Sequence, residues 1–171
     1  MSEVFFISDL HIGHKAIINF DETRPFRQFS TIEEHDEEII NRWNNVVSKK
    51  DTVWLLGDAV FGKRNLFKLG RLNGIIKLVM GNHDIYASDE YLKYVHKLYG
   101  VVEYKGMVLS HMPISIDQNK RYYLNVHGHL HTREINNPWY VNVSAEKVNL
   151  TPIPIDEIHN LWSENKDKYG E

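Results

Sequence analysis

The chain has 171 residues, of which 42% are hydrophobic and 25% charged, and its formal net charge is −3 with histidine neutral. That length suits one domain, residues 1–171, with a sizeable core, and the charge balance carries no strong nucleic-acid signal and no membrane signal. The absence of cysteine excludes disulfides, thiolate zinc sites and a cysteine nucleophile, so the ten histidines must share any metal chemistry with Asp, Glu, Asn and Gln.

No apolar run reaches the length of a membrane span. Residues 1–9 lack a basic start and a cleavage site, so an intracellular, cytoplasmic protein is expected. The first apolar run, residues 4–7, predicts a buried strand. It ends in Ser8-Asp9-Leu10-His11, with Gly13-His14 just beyond. Residues 15–30 read as a loop. Thr31-Ile32-Glu33-Glu34 is a candidate capping box, and Ile32, Ile39, Ile40, Trp43, Val46 and Val47 fall on one helical face after it.

Residues 53–56 predict a second strand ending in Gly57-Asp58. Leu66, Leu69 and Leu72 suggest a short helix closed by Asn73-Gly74. Residues 75–80 form a third strand, followed by Gly81-Asn82-His83-Asp84. Strand, helix, strand at this spacing predicts βαβ units in a mostly parallel sheet. Beyond residue 98 the pattern is strand-rich. Residues 101–104 and 107–110 predict a hairpin turning at Lys105-Gly106, ending in His111. Further strands are expected at 124–127, 139–143 and 148–151. Pro154 opens a last helix with Ile155, Ile158, Leu161 and Trp162 on its apolar side, and residues 163–171 are expected to fray.

The chemistry concentrates at strand ends. Gly128-His129-Leu130-His131 places two imidazoles two residues apart, and in an extended strand end such residues point the same way. Both rings are therefore expected to reach one site. Together the strand ends carry Asp9 and His11, Asp58, Asn82 and His83, His111, and His129 and His131. That set exceeds the needs of one metal ion. A mixed nitrogen and oxygen set suits zinc, manganese or iron and not calcium. Two such ions about 3.5–4 Å apart form a clamp for displacement at phosphorus.

Asp-x-His, Gly-Asp, Gly-Asn-His-Asp, a lone His and Gly-His-x-His, in that order over residues 9–131, resemble the calcineurin-like metallophosphoesterase superfamily. Arg24-Pro25-Phe26 and residues 57–62 are similar to its small bacterial and phage-type members. The resemblance implies an α/β fold, a two-sheet β-sandwich flanked by helices. It implies that Asp9, His11, Asp58 and His131 hold one divalent metal. Asp58, Asn82, His111 and His129 then hold a second, with Asp58 bridging. Manganese is the expected metal, with iron, zinc or nickel as alternatives. His83 is implied to be the catalytic residue that assists the leaving oxygen, while a metal-bridging hydroxide attacks phosphorus. The acid that many members carry three residues after the bridging Asp is replaced here by Phe61. The partner that orients His83 is therefore open between Asp84 and a backbone carbonyl.

His14 and Arg24 are candidate substrate contacts, and Lys63 and Arg64 lie in loops near the expected site. His35, His96 and His159 read as ordinary surface or core residues, and His127 as a packing residue. His35-Asp36 and His83-Asp84 also resemble the pairs of helical HD-type phosphohydrolases, but that fold needs its ligands on helices. The chain leaves little length for a cap over the site. The expected activity is a phosphodiesterase acting on a small or nucleotide-like phosphate ester. The alternatives are a phosphomonoesterase and a non-catalytic metal- or phosphate-binding module, the latter favoured only by Phe61. No signal for an oligomeric state is present.

Overall fold

Four short strands, β1 (Val4–Ile7), β2 (Thr52–Leu55), β3 (Ile75–Val79) and β4 (Lys97–Tyr99), pair in parallel in a computed structural model that describes residues 2–170. A two-residue strand, β9 (Ile153–Pro154), adds antiparallel to β1, giving the order β4-β3-β2-β1-β9. Its proline sits at the sheet edge, where a missing N–H is tolerated. The second sheet has the order β5-β6-β7-β8, from β5 (Val101–Tyr104), β6 (Met107–Ser110), β7 (Leu124–His127) and β8 (Tyr140–Asn142). The β5–β6 hairpin turns at Lys105 and Gly106, both with positive φ.

The two sheets face each other across one apolar core. Phe6 and Trp54 of the first meet Tyr104 of the second at ring separations of 6.2 and 5.4 Å. Val53, Leu55, Leu78, Leu109, Val126 and Val143 are fully buried within that core. Helix α1 (Ile32–Val46) adds Ile39, Ile40 and Trp43 to the same core. Burying each such side chain contributes about 1.5–3 kcal/mol. The expected architecture, two sheets flanked by helices, is the one observed.

Helix α1 begins as its sequence predicts, with Thr31 Oγ1 accepting the Glu34 N–H at 3.1 Å. Glu34 does not complete the box; its carboxylate accepts the Ser30 N–H at 3.0 Å instead. Val46, expected on the buried face, is 42% exposed, because the chain leaves the helix at Val47 and buries that residue in its place. The leucine-spaced segment is a 3₁₀ helix, Lys63–Arg71, capped at Leu72 rather than at Asn73-Gly74.

Three further differences come from tertiary packing. Residues 148–151 form turns instead of a strand: Asn149 and Leu150 take positive φ, and Leu150 is buried as a single plug. The short strand β4 and a one-turn helix α2 (Ser88–Tyr91) were not anticipated, since neither is long enough to show a period. Helix α3 (Ile155–Tyr169) continues through most of the tail expected to fray. Asn165 donates to the Tyr140 carbonyl at 2.8 Å, and Lys168 and Tyr169 donate to Glu134 at 2.9 and 2.7 Å. These contacts anchor its last turns, and Glu171 lies outside the described residues. No helix among the described residues is long and apolar enough to cross a membrane.

The strand ends are stitched across both sheets. Ser8, one residue past β1, donates its N–H to Val143 at 2.9 Å and accepts from Ala145 at 2.9 Å. Its hydroxyl also donates to the Leu56 carbonyl at 2.5 Å. Asp9 and His11 donate their N–H groups to Gly57 and Asp58, both at 3.0 Å, and Gly128 donates to His111 at 2.9 Å. Segments distant in sequence are thereby held at one end of the sandwich.

Candidate metal centre

Five of the eight non-glycine residues with positive φ among the described residues are Asp9 (58°), His11 (52°), Asp58 (51°), His129 (66°) and His131 (50°). This conformation is uncommon for residues with a side chain and costs about 1–3 kcal/mol each. Here it turns each side chain out of strand alternation and towards a common centre. Strand alternation is therefore not what aims His129 and His131. Strand β7 stops at His127, and the two rings enter different clusters.

The first cluster is Asp9, His11 and His131. Asp9 Oδ1 and His11 Nε2 are buried without a hydrogen-bond partner. His11 Nε2 lies 3.7 Å from Asp9 Oδ1 and 3.8 Å from Asp58 Oδ2. His131 Nε2 is 3.9 Å from the same Asp9 oxygen. The other Asp9 oxygen accepts from the His129 N–H at 2.9 Å and the Ser144 hydroxyl at 3.0 Å. Burial by itself raises the Asp9 carboxyl, yet the surrounding His11, His111 and His131 hold it well below the usual carboxylate range. In His11 burial dominates instead: it lowers the imidazole and favours the neutral ring.

The second cluster is Asp58, His111 and His129. His111 Nδ1 donates to the Leu56 carbonyl at 2.8 Å. That leaves Nε2 facing Asp58 Oδ2 at 3.4 Å and Asn82 Oδ1 at 3.0 Å. Against the effect of burial, Asp58 and Asp9 raise the His111 imidazole to about 9. The Asp58 Oδ2 atom thus faces both clusters, while Oδ1 accepts the His83 N–H at 2.9 Å.

Orphaned, electron-rich atoms converging at such distances fit cations. A buried polar atom without a partner costs about 1–3 kcal/mol, and a metal ion satisfies several at once. The donor set of imidazoles and carboxylates matches a transition-metal site. Two close approaches depend on missing side chains. A Cβ at Gly128 would overlap Ser8 Oγ and Asp9 Oδ2, and a Cβ at Gly81 would overlap the Asp58 carboxylate.

The remaining candidates divide. His83 is exposed beside the clusters, with its ring 4.8 Å from that of Phe61. Asp84 does not orient it. That carboxylate is buried and accepts the N–H groups of Asp58, Gly81 and Ala59 at 2.8, 2.9 and 3.1 Å. His14 shares a hydrogen bond with His11, Nδ1 to Nδ1 at 2.9 Å, and stacks on Phe61 at 3.9 Å and 5°. Burial and the neighbouring His11 and His83 lower it to about 4. Arg24 is exposed and lines a separate hollow with Ile18, Asp21 and Gln28, outside both clusters. His127 is buried and donates Nδ1–H to the Gly128 carbonyl at 2.9 Å.

Two site residues escaped the sequence reading. Glu146 contacts His131, and Arg27 contacts the backbone of Asp9. Glu146 follows the predicted strand at 139–143 by three residues, so it carried the same strand-end signal as the residues singled out. Arg27 sits three residues from Arg24 in a loop with no periodicity to mark it as buried.

A family model described as calcineurin-like phosphoesterase matches residues 3–170. Over 184 aligned residues the chain is 35% identical to an uncharacterized protein of Methanocaldococcus jannaschii, covering 97% of this chain and 94% of that one. It is 36% identical over 134 residues to the gene 66 protein of Mycobacterium phage L5, covering 75% of this chain and 60% of the phage protein. Among solved structures, a protein of unknown function from Aquifex aeolicus superposes with a TM-score of 0.73 at 28% identity, covering 94% of this chain and all of the other.

Proposed function

Because the chain belongs to the calcineurin-like phosphoesterase family, we propose that it is a metal-dependent phosphodiesterase acting on a small or nucleotide-like phosphate ester with two divalent cations, manganese foremost. The observation that carries this reading is Asp58 Oδ2, which faces His11 Nε2 at 3.8 Å and His111 Nε2 at 3.4 Å. One carboxylate oxygen turned to two ligand clusters is the arrangement a dinuclear centre requires. In this reading Asp9, His11, Asp58 and His131 hold one ion, and Asp58, Asn82, His111 and His129 the other. When bound, the ions acidify an attacking water and neutralise charge on the phosphoryl oxygens.

The protein's own groups do the rest. His129 and Ser144 fix the Asp9 carboxylate through hydrogen bonds of 2.9 and 3.0 Å. His83 faces solvent next to the clusters and gives a proton to the leaving oxygen. Phe61 and His14 form an aromatic wall beside it.

Arg27 is the one lysine or arginine among the described residues that hydrogen-bonds to a residue of either cluster, and it is sealed against Glu146. The test is hydrolysis of bis-p-nitrophenyl phosphate beside p-nitrophenyl phosphate, with protein stripped of metal and resupplied with manganese. Faster diester cleavage is expected. Faster monoester cleavage would move the assignment to a phosphatase, and cleavage of neither with metal bound would leave a binding module.

A further inference from the structure

Arg27 is wholly buried beneath the first cluster. Its guanidinium makes four contacts. Nη2 donates to the Asp9 carbonyl at 2.6 Å, and Nη1 donates to the Leu10 carbonyl at 3.0 Å and to His35 Nε2 at 2.7 Å. Nε donates to Glu146 Oε1 at 2.7 Å. The same Glu146 oxygen accepts His131 Nδ1–H at 3.1 Å, and the Glu146 side chain is fully buried.

The line continues on the other side of Arg27. A guanidinium only donates, so His35 Nε2 accepts and its Nδ1 carries the proton. That proton goes to Asp36 Oδ1 at 2.9 Å. Asp36 also takes Lys68 Nζ at 2.6 Å and the Gly13 N–H at 3.0 Å. Lys68, Asp36, His35, Arg27, Glu146 and His131 thus form one relay, ending at a ring nitrogen that faces Asp9.

Stability alone does not account for this arrangement. Well-packed apolar groups in place of a buried ion pair are often neutral or stabilising. What the pair touches is specific: the ligand histidine of the first cluster, and the backbone between Asp9 and His11, two residues held at positive φ. The second cluster is built differently. There a backbone carbonyl, that of Leu56, takes the His111 Nδ1 proton. Among the described residues, Arg27 and Glu146 make no hydrogen bond to the side chains of Asp58, Asn82, His111 or His129.

We propose that Glu146 and Arg27 are positioning residues for the first metal. Glu146 locks His131 as the Nδ1–H tautomer, so that Nε2 is its ligand atom, and Arg27 holds Glu146 and the Asp9–Leu10 backbone in register. A carboxylate behind a ligand imidazole raises its basicity as well as fixing its orientation. The first site is therefore the tighter of the two. This inference rests on the dinuclear reading above.

The test is calorimetric titration of metal-stripped protein with Mn2+, using wild type, Glu146→Gln and Arg27→Lys. Gln keeps an oxygen where Oε1 stands and removes the charge; Lys keeps the charge and removes the fork. Wild type is expected to show two sites. Each variant weakens the tighter site by about 10–100-fold and leaves the other within about twofold. A wild type that binds no manganese would sink the dinuclear reading itself. Two sites in wild type with the same affinities in the variants, or an equal loss at both sites, would overturn this proposal alone. A second measurement needs no variant. In zinc-loaded wild type, nitrogen-15 spectra of the histidine rings should show His131 protonated at Nδ1 and metal-bound at Nε2. Coordination through Nδ1 overturns the proposal.

Discussion

Asp84 Oδ2 accepts the backbone N–H of Asp58 at 2.8 Å, across 26 residues of sequence. The acid next to His83 is thus spent on the backbone of the Asp that faces both clusters. Burial raises the Asp84 carboxyl above its ordinary value, against three N–H donors that favour the charged form. Asp84→Asn turns an amide N–H2 towards one or two of those donors and costs about 1–3 kcal/mol for each one left unsatisfied. Urea unfolding of the metal-stripped variant should show a lower midpoint with an unchanged slope. An unchanged midpoint would mean that these bonds do not hold the loop.

Asp58→Asn removes the charge shared by the two clusters. The expected result is loss of diester and monoester hydrolysis together with weaker binding of both metals. The far-ultraviolet circular dichroism should stay as in wild type, because the Asp58 backbone contacts remain. Wild-type turnover in this variant would contradict the bridging role.

For His83→Gln the expectation is different. His83 belongs to neither candidate cluster, so manganese affinity should be kept. Turnover of a substrate with a poor leaving group should fall by about 10²–10⁴-fold, the usual worth of a general acid. A substrate with a good leaving group, which needs little protonation, should lose much less. Equal loss on both substrates would assign His83 to binding instead.

The acid side of the stability profile follows from His127. Burial lowers this imidazole from 6.5 to about 4. The unfolded chain therefore binds a proton between those values that the folded chain refuses. Stability from His127 is complete above pH 6.5 and is lost as pH falls towards 4, by up to about 3 kcal/mol. Comparing metal-stripped wild type with His127→Gln by urea unfolding at several pH values isolates this effect. The variant should show a flatter slope over that window, and parallel curves would show that His127 is not held neutral.

Much of the fold, and which side chains gather in the two candidate clusters, were legible because both are written locally. Apolar runs at 4–7, 53–56 and 75–80 mark buried strands wherever they occur, and each is followed within a few residues by the side chains that reach the centre. The order of those blocks suffices for the family. Which ring joins which cluster could not be read from strand alternation and rested on the family resemblance alone. Asp9, His11, Asp58, His129 and His131 all leave the strand conformation for positive φ, and there the two-residue alternation that guides a sequence reading no longer holds. Of the hidden support, Glu146 carried a strand-end signal and Arg27 carried none, and their pairing was out of reach. Arg27 and Glu146 stand 119 residues apart, in a loop and a turn without periodicity, and their pairing exists only because Ser8 ties the end of β1 to the segment past β8. Residues 148–151 and 163–170 make the same point in the fold: the chain's own pattern suggested a strand and a frayed tail. Burial of Leu150 and the bonds of α3 to Tyr140 and Glu134 decided otherwise. Local sequence determined which residues are candidates for the clusters, and long-range packing decided their geometry, because left-handed backbone and buried ion pairs are stable only when distant segments hold them in place.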